Sequence, residues 1–199
     1  MKPPLKLIRR RFRRSVYLAA ALLGLLFDSG CASLSREDCL RGDWFGVGIR
    51  DGLGGEPGAR LADHADACRE HGIVVDQAAY FAGRDQGLRD YCRLDNAFTE
   101  GLNGRGYQHV CPPAIDSQFA RYNAAAYAVY EDRNELDQLQ SDLSDKESRL
   151  RDSKLTDKER DRLRSELRDL DRHYDHHRQD LYFHERQLDD MRRELSGYR

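Results

Sequence analysis

Long hydrophobic runs are missing from this chain. No stretch reaches the roughly 18 to 20 apolar residues that a membrane-spanning helix requires, which excludes a helical transporter or channel. Apolar residues are scarce as well, at 39% of 199 positions, with one tryptophan and two methionines. A chain of this length and polarity accommodates a small core plus an extended element better than one large core. Neither sign of charge dominates, with 33 Lys and Arg against 35 Asp and Glu. No basic stripe marks a nucleic-acid surface, because arginines alternate with aspartates, so no nucleic-acid partner is expected. Chemical motifs are lacking too: there is no G-x-S-x-G, H-E-x-x-H or C-x-x-C, and no glycine run carries Lys or Thr at phosphate-loop spacing. No enzyme, catalytic residue, cofactor or metal is therefore expected.

The even charge balance conceals an uneven distribution. Residues 1–30 hold Lys2, Lys6, Arg9, Arg10, Arg11, Arg13 and Arg14 against Asp28, contributing +6 and leaving −8 on the rest. After Arg14 come twelve mostly apolar residues, Val16 to Phe27, and then Asp28-Ser29-Gly30-Cys31. A cationic start, an apolar segment too short to span and a small-residue site are the layout of an export signal. Its end resembles a bacterial lipoprotein signal, in which a small residue precedes the cysteine that becomes diacylated and N-terminal. Gly30, Cys31, Ala32 and Ser33 fit that pattern, while Asp28 stands where an aliphatic residue is usual. The resemblance implies lipidation at Cys31 with enough acyl chains for stable anchoring. Ala32 in place of Asp after the cysteine implies an outer-membrane lipoprotein facing the periplasm of a bacterial envelope. An ordinary cleaved signal at Gly30-Cys31-Ala32 and an uncleaved interfacial anchor are the alternatives.

Without Cys31 the cysteines form an even set, Cys39, Cys68, Cys92 and Cys111. Export would place them in an oxidising compartment, where two disulfides are expected. Four cysteines allow three pairings, and spacing does not choose among them.

Residues 39–112 contain a weak repeat. Phe45 with Gly48 and Gly52, Tyr80 with Gly83 and Gly87, and Phe98 with Gly101 and Gly104 each set an aromatic residue before two glycines. On a helix these positions share one face, so each segment would carry a ring above a glycine notch for close approach of a neighbour. Asp43, Asp76 and Asn96 are suitable N-caps for the three helices. Leu61–His71 reads as a fourth helix closed by Gly72, and Gly52–Gly58 reads as a loop. Trp44 is expected to anchor the core. Arg50-Asp51 and Arg84-Asp85 are taken to share one slot of the repeat, so Trp44, Asp51, Arg84 and Asp85 form a candidate surface.

The set Cys39, Asp43-Trp44, Gly48, Asp51-Gly52, His64, Cys68, Gly72, Tyr80, Gly83-Arg84, Gly87-Leu88, Tyr91-Cys92, Gly101, Gly104, Tyr107 and Val110-Cys111-Pro112 resembles a bacterial lipoprotein family known as domain of unknown function 2799. The resemblance implies an exported, cysteine-containing, often lipid-anchored domain and no particular activity. It does not extend over the C-terminal region.

From Ser117 to Ser196 glycine and proline vanish and charge is dense. Apolar residues recur at alternating three- and four-residue steps, the spacing of a coiled coil. One arm reads Phe119, Tyr122, Ala126, Val129, Arg133, Leu136, Gln140, Leu143, Glu147 and Leu150. The other reads Arg160, Leu163, Leu167, Leu170, Tyr174, His177, Leu181, His184, Leu188, Met191 and Leu195. Thr156 to Glu159 fits a capping box that starts the second arm, so the arms, 117–150 and 157–196, should fold back with Ala126 opposite His184 and His177 opposite Arg133. His173 and His177, four apart, could chelate a metal with Asp169 or Asp180, but a polar seam is the preferred reading.

The fold expected is all-α: an export segment (1–30), a small disulfide-stapled helical domain with short glycine-containing helices (31–116), and a long antiparallel coiled-coil hairpin (117–199). The function expected is structural or interactive, with the membrane reached through the lipid and a protein partner or second copy through the hairpin. The competing reading is a ligand-binding or enzymatic domain in 39–116 that gathers Asp43, Asp51, His64, Arg84 and Asp85 in a cleft.

Overall fold

The computed structural model describes residues 33–197. The expected export segment and the Cys31 lipidation site lie outside the described residues. Among those described there is no strand, and the elements are α1 (Arg36–Arg41), α2 (Trp44–Leu53), α3 (Arg60–Arg69), α4 (Gln77–Tyr91), α5 (Leu94–Leu102), α6 (Pro113–Leu150) and α7 (Asp157–Gly197). The all-α expectation holds. No helix among the described residues is long and apolar enough to cross a membrane.

Two compact units are formed, and the contacts do not divide at the expected 116/117 boundary. The smaller unit takes described residues 33–43 and 61–75. Ser35 caps α1 by accepting from the Asp38 N–H at 3.1 Å. The Cys39–Cys68 disulfide ties α1 to α3, with Leu61 and His64 also buried. The helix expected over 61–71 closes near Arg69, and Gly72 follows in the left-handed conformation (φ +72°) that a C′ glycine adopts readily.

The larger unit takes Trp44–Arg60 and residue 76 onward. Its α4 starts at Asp76, whose carboxylate accepts from the Ala79 N–H at 3.0 Å. The cap expected at Asn96 is misplaced: α5 begins at Leu94, and Asn96 sits in its first turn, donating to the Tyr91 carbonyl at 2.9 Å. A core of Leu88, Tyr91, Cys92, Ala97, Phe98 and Cys111 continues into Phe119, Tyr122, Ala126 and Val129 of α6 and Leu188 of α7. Its rings stack, Phe98 on Tyr122 at 4.8 Å and Tyr91 on Phe119 at 5.3 Å between centroids. The root of the hairpin is thus part of the core rather than an appendage. Asn123, buried on α6, donates its side-chain amide to the carbonyls of Ala97 (3.3 Å) and Arg105 (3.0 Å), which fastens α6 to α5 and the loop that follows it. The Cys92–Cys111 disulfide closes that loop. Both disulfides therefore join cysteines adjacent in sequence, one of the three pairings open beforehand.

The hairpin forms as expected, and Thr156 with Glu159 makes the reciprocal capping box: Glu159 accepts from the Thr156 N–H at 2.8 Å and Thr156 Oγ1 accepts from the Glu159 N–H at 3.3 Å. Every expected seam position of α7 is buried or half-buried. In α6 the expected seam holds beyond Val129 at Leu136, Leu143 and Leu150 and fails at the three polar positions between them. Arg133, Gln140 and Glu147 are exposed, and their places are taken by Asp132 and Leu139, both buried, and the half-buried Lys146. A three-residue step from Val129 to Asp132 shifts the phase. Leu139 enters in place of Gln140, which buries apolar surface instead of an amide, and Lys146 pairs with Glu166 across the arms at 2.6 Å.

Candidate functional site

The glycine repeat builds a helix crossing. A Cβ on Gly48 would lie 2.0 Å from the Tyr80 carbonyl oxygen, and one on Gly83 2.0 Å from that of Phe45. One turn further along, Gly52 faces the Arg84 oxygen at 2.3 Å and Gly87 the Ile49 oxygen at 2.4 Å. The two segments meet as near-equivalents about a local twofold, backbone against backbone. In the third segment only Gly101 behaves alike, against the Asn123 oxygen at 2.4 Å; Gly104 lies beyond the end of α5 in the left-handed conformation (φ +73°) and faces the Tyr130 ring instead of a backbone. The rings do not follow the pattern: Tyr80 and Phe98 are buried, but Phe45 is exposed, and Trp44 beside it enters the core in its place.

The pairs Arg50-Asp51 and Arg84-Asp85 do not occupy equivalent slots. The crossing equates Ile49 with Arg84, one residue out of step with the expected alignment. The side chains accordingly do different work. Tyr80 donates its hydroxyl to Asp51 at 2.6 Å, and Arg84 donates twice to the Glu56 carbonyl, at 3.0 and 2.7 Å, fixing the loop after α2. Burial, then the Asp51 carboxylate, holds the Tyr80 hydroxyl protonated far above its ordinary range. Asp85 and Arg50 point to solvent. Of the residues proposed for a cleft, Asp43 and His64 belong to the smaller unit, where His64 is buried and bonded through Nδ1 to Ser33 Oγ at 2.8 Å, while Asp51, Arg84 and Asp85 belong to the larger.

Two open grooves lie in the larger unit. One, of about 390 Å³, is lined by residues including Leu53, Tyr91, Arg93, Asn96 and Thr99, and the other, of about 420 Å³, by residues including Gly55, Glu56, Tyr91, Glu100 and Arg105. Asp51, Arg84 and Asp85 line neither. In the second groove the Glu100 carboxylate accepts from Arg105 Nε at 2.6 Å and from Arg105 Nη2 at 2.7 Å. Burial, then Glu100, pushes the Tyr91 hydroxyl up to about 12. A satisfied ion pair beside a protonated phenol offers neither base nor nucleophile at neutral pH. Nearby, Asp116 in the first turn of α6 accepts from Tyr107 (2.6 Å) and sits 3.1 Å from His109 Nδ1, and Tyr107 in turn accepts from the Cys111 N–H at 2.8 Å. Those bonds hold the Asp116 carboxyl below its ordinary range and anchor the disulfide loop to α6.

The hairpin contains the cluster that sequence reasoning missed. Asp132, buried by the phase shift, meets His184 Nδ1 through Oδ2 at 2.6 Å and lies 3.9 Å from His177 Nδ1 through Oδ1. The unshifted heptad register places His184 opposite Ala126 and His177 opposite Arg133, and neither histidine keeps that partner. Arg133 instead reaches Glu185 at 2.7 Å. The signal that could have located Asp132 is the apolar Leu139 seven positions on, which marks the alternative heptad register.

A family model described as a protein of unknown function (DUF2799) matches residues 43–128. That segment spans the glycine crossing, the Cys92–Cys111 loop and the root of α6, so the resemblance read from 39–112 reaches further into the hairpin than its motifs did. No curated protein and no solved structure matches the chain.

Proposed function

We propose that this chain is an exported envelope lipoprotein, anchored through Cys31, that acts without catalysis by presenting its hairpin to a protein partner or a second copy of itself. The observation that carries the reading is the poverty of the distal hairpin. Between Asp132 and Leu150 of α6 only Asp132, Leu139 and Leu143 are buried, and from Asp157 to Asp180 of α7 only Leu163. Leu136, Leu167, Leu170 and Tyr174 stay half-exposed along the same seam, a stripe that a further helix would cover. The two disulfides support an oxidising compartment.

The test is made on full chain expressed in a Gram-negative host and purified from its membranes. Intact mass spectrometry should find acyl mass on Cys31. Light scattering combined with lysine and carboxylate crosslinking should find crosslinks from the distal arms to a second copy or to an envelope protein. An unacylated chain that is monomeric, with crosslinks confined to its own arms, refutes the reading.

A further inference from the structure

We propose that the hairpin carries a divalent transition-metal site, of the kind occupied by zinc, formed by Asp132 of α6 with His177 and Asp180 of α7. One ligand atom from each of these three residues lies within 4.8 Å of the other two. In a tetrahedral zinc site, bonds of about 2.0–2.2 Å place neighbouring ligand atoms roughly 3.3 Å apart. The 3.9 Å between His177 Nδ1 and Asp132 Oδ1 is too long for a hydrogen bond and close to that ligand spacing.

Three further observations favour a cation there. His177 Nδ1 is buried and makes no hydrogen bond among the described residues, an uncommon condition for a side-chain nitrogen that faces a carboxylate. Each carboxylate is steadied from outside by a histidine: His184 Nδ1 sits 2.6 Å from Asp132 Oδ2 and His176 Nε2 sits 3.3 Å from Asp180 Oδ2. Carboxylate–histidine contacts of this sort orient ligands at metal centres. The charges also fit, because two carboxylates and one neutral imidazole carry −2, which a divalent ion neutralises. Arg133 and Arg178, the cations adjacent in sequence to Asp132 and His177, are engaged with Glu185 and Asp175. The ion would pin α6 to α7 where the apolar seam is interrupted and its heptad phase changes. The site lies beyond the family-matched segment, which ends at residue 128, and it is independent of the proposed anchoring.

The experiment uses the full chain, stripped with a chelator and titrated with Zn²⁺ by calorimetry and with Co²⁺ by visible absorption. One equivalent should bind saturably, with a Co²⁺ spectrum of low coordination number. Asp180→Asn, a partly exposed change that leaves the seam intact, should weaken binding at least tenfold, and His184→Ala about 10- to 100-fold. Asp132→Asn should abolish the stoichiometric phase. His173→Ala removes an exposed histidine outside the cluster and should leave affinity unchanged. The proposal is overturned if the wild-type chain shows no saturable equivalent, if binding survives both Asp132→Asn and Asp180→Asn, or if His173→Ala is as damaging as Asp180→Asn.

Discussion

Replacing Gly48 by alanine tests the helix crossing directly. The new methyl carbon would sit 2.0 Å from the Tyr80 oxygen and 2.8 Å from the Arg84 nitrogen, both backbone atoms that no rotamer change can move. Ordinary contact begins near 3.4 Å, so α2 and α4 must separate by about 1.4 Å along that line. Overpacking of this kind costs about 3 kcal/mol at the upper end of its usual range. Alanine returns about 1 kcal/mol through its better helix propensity, so the net loss is about 2 kcal/mol. Gly83→Ala should cost about the same, since its methyl would meet the Phe45 oxygen at 2.0 Å. The double variant should fall short of the sum by about 1 kcal/mol, because the helices have already parted for the first methyl. Urea titrations followed by circular dichroism, with disulfides intact, measure all three. Gly106→Ala, with nothing within 4 Å of its added carbon, serves as the reference and should stay within about 0.5 kcal/mol of wild type. A Gly48→Ala chain equally close to wild type, or strict additivity in the pair, would refute a backbone-to-backbone crossing.

The heptad shift in α6 is checked by two truncations in the same assay: Leu139→Ala should cost about 2–3 kcal/mol, whereas Gln140→Ala, on the exposed face, should stay within about 0.5 kcal/mol. The order would reverse under the unshifted register. Replacing Cys92 and Cys111 together by alanine should cost about 3 kcal/mol, and replacing Cys39 and Cys68 together about 3.5 kcal/mol, the larger loop losing more closure entropy. Non-reducing peptide mapping should find only those two pairings. Acid should weaken the hairpin: bonds from Lys146 and Arg162 hold the Glu166 carboxyl below its ordinary 4.5, and Thr156 does the same for Glu159. A lowered folded value adds stability above the unfolded one, so this contribution is present above pH 4.5 and disappears as pH falls through the lowered values. Thermal melts across that window should show a smaller acid loss for Glu166→Gln than for wild type.

Features set by short-range physics were legible in the sequence. The capping box at Thr156, the cap at Asp76, the left-handed glycine at Gly72 and the whole α7 seam depend on a few residues and a helical period. The glycine notches were legible as notches, because several glycines in a helix need a close neighbour to offset their propensity cost. Which neighbour was not legible, since Gly48 and Gly101 carry the same local signal yet meet α4 and α6. The α6 seam failed at Arg133, Gln140 and Glu147 for a related reason. At 3.6 residues per turn, positions 132 and 133 lie almost equally near the interface, and only the partner helix decides between them. A charge at the chosen position then conceals the choice, as Asp132 does. Arg50-Asp51 and Arg84-Asp85 misled because identity of dipeptides suggested an alignment that the backbone contradicts by one residue.

The family-matched segment ends one residue before Val129, the last residue of α6 in the main core, and four residues before Asp132, the first polar seam position. Its end and the core's edge on α6 thus nearly coincide. Yet the core is not closed by that segment alone, because Leu188 of α7 is buried in it, with Leu181, Met191 and Leu195 packed against it. The chain must travel out along α6 and back along α7 before those residues can arrive. Most of residues 132–180 are therefore free of the demands of the main core, and their composition answers to the hairpin itself. Apolar burial there is sparse, cross-arm ion pairs such as Arg133–Glu185 and Lys146–Glu166 set the register, and the one buried carboxylate faces two histidines. Solvent-exposed pairs contribute at most about 1 kcal/mol each. A two-helix arm held that way draws its rigidity from its root unless something else occupies its seam, and the Asp132 cluster and the half-exposed leucine stripe are the two places on it where a ligand or a partner helix would add what the sequence of the arms does not.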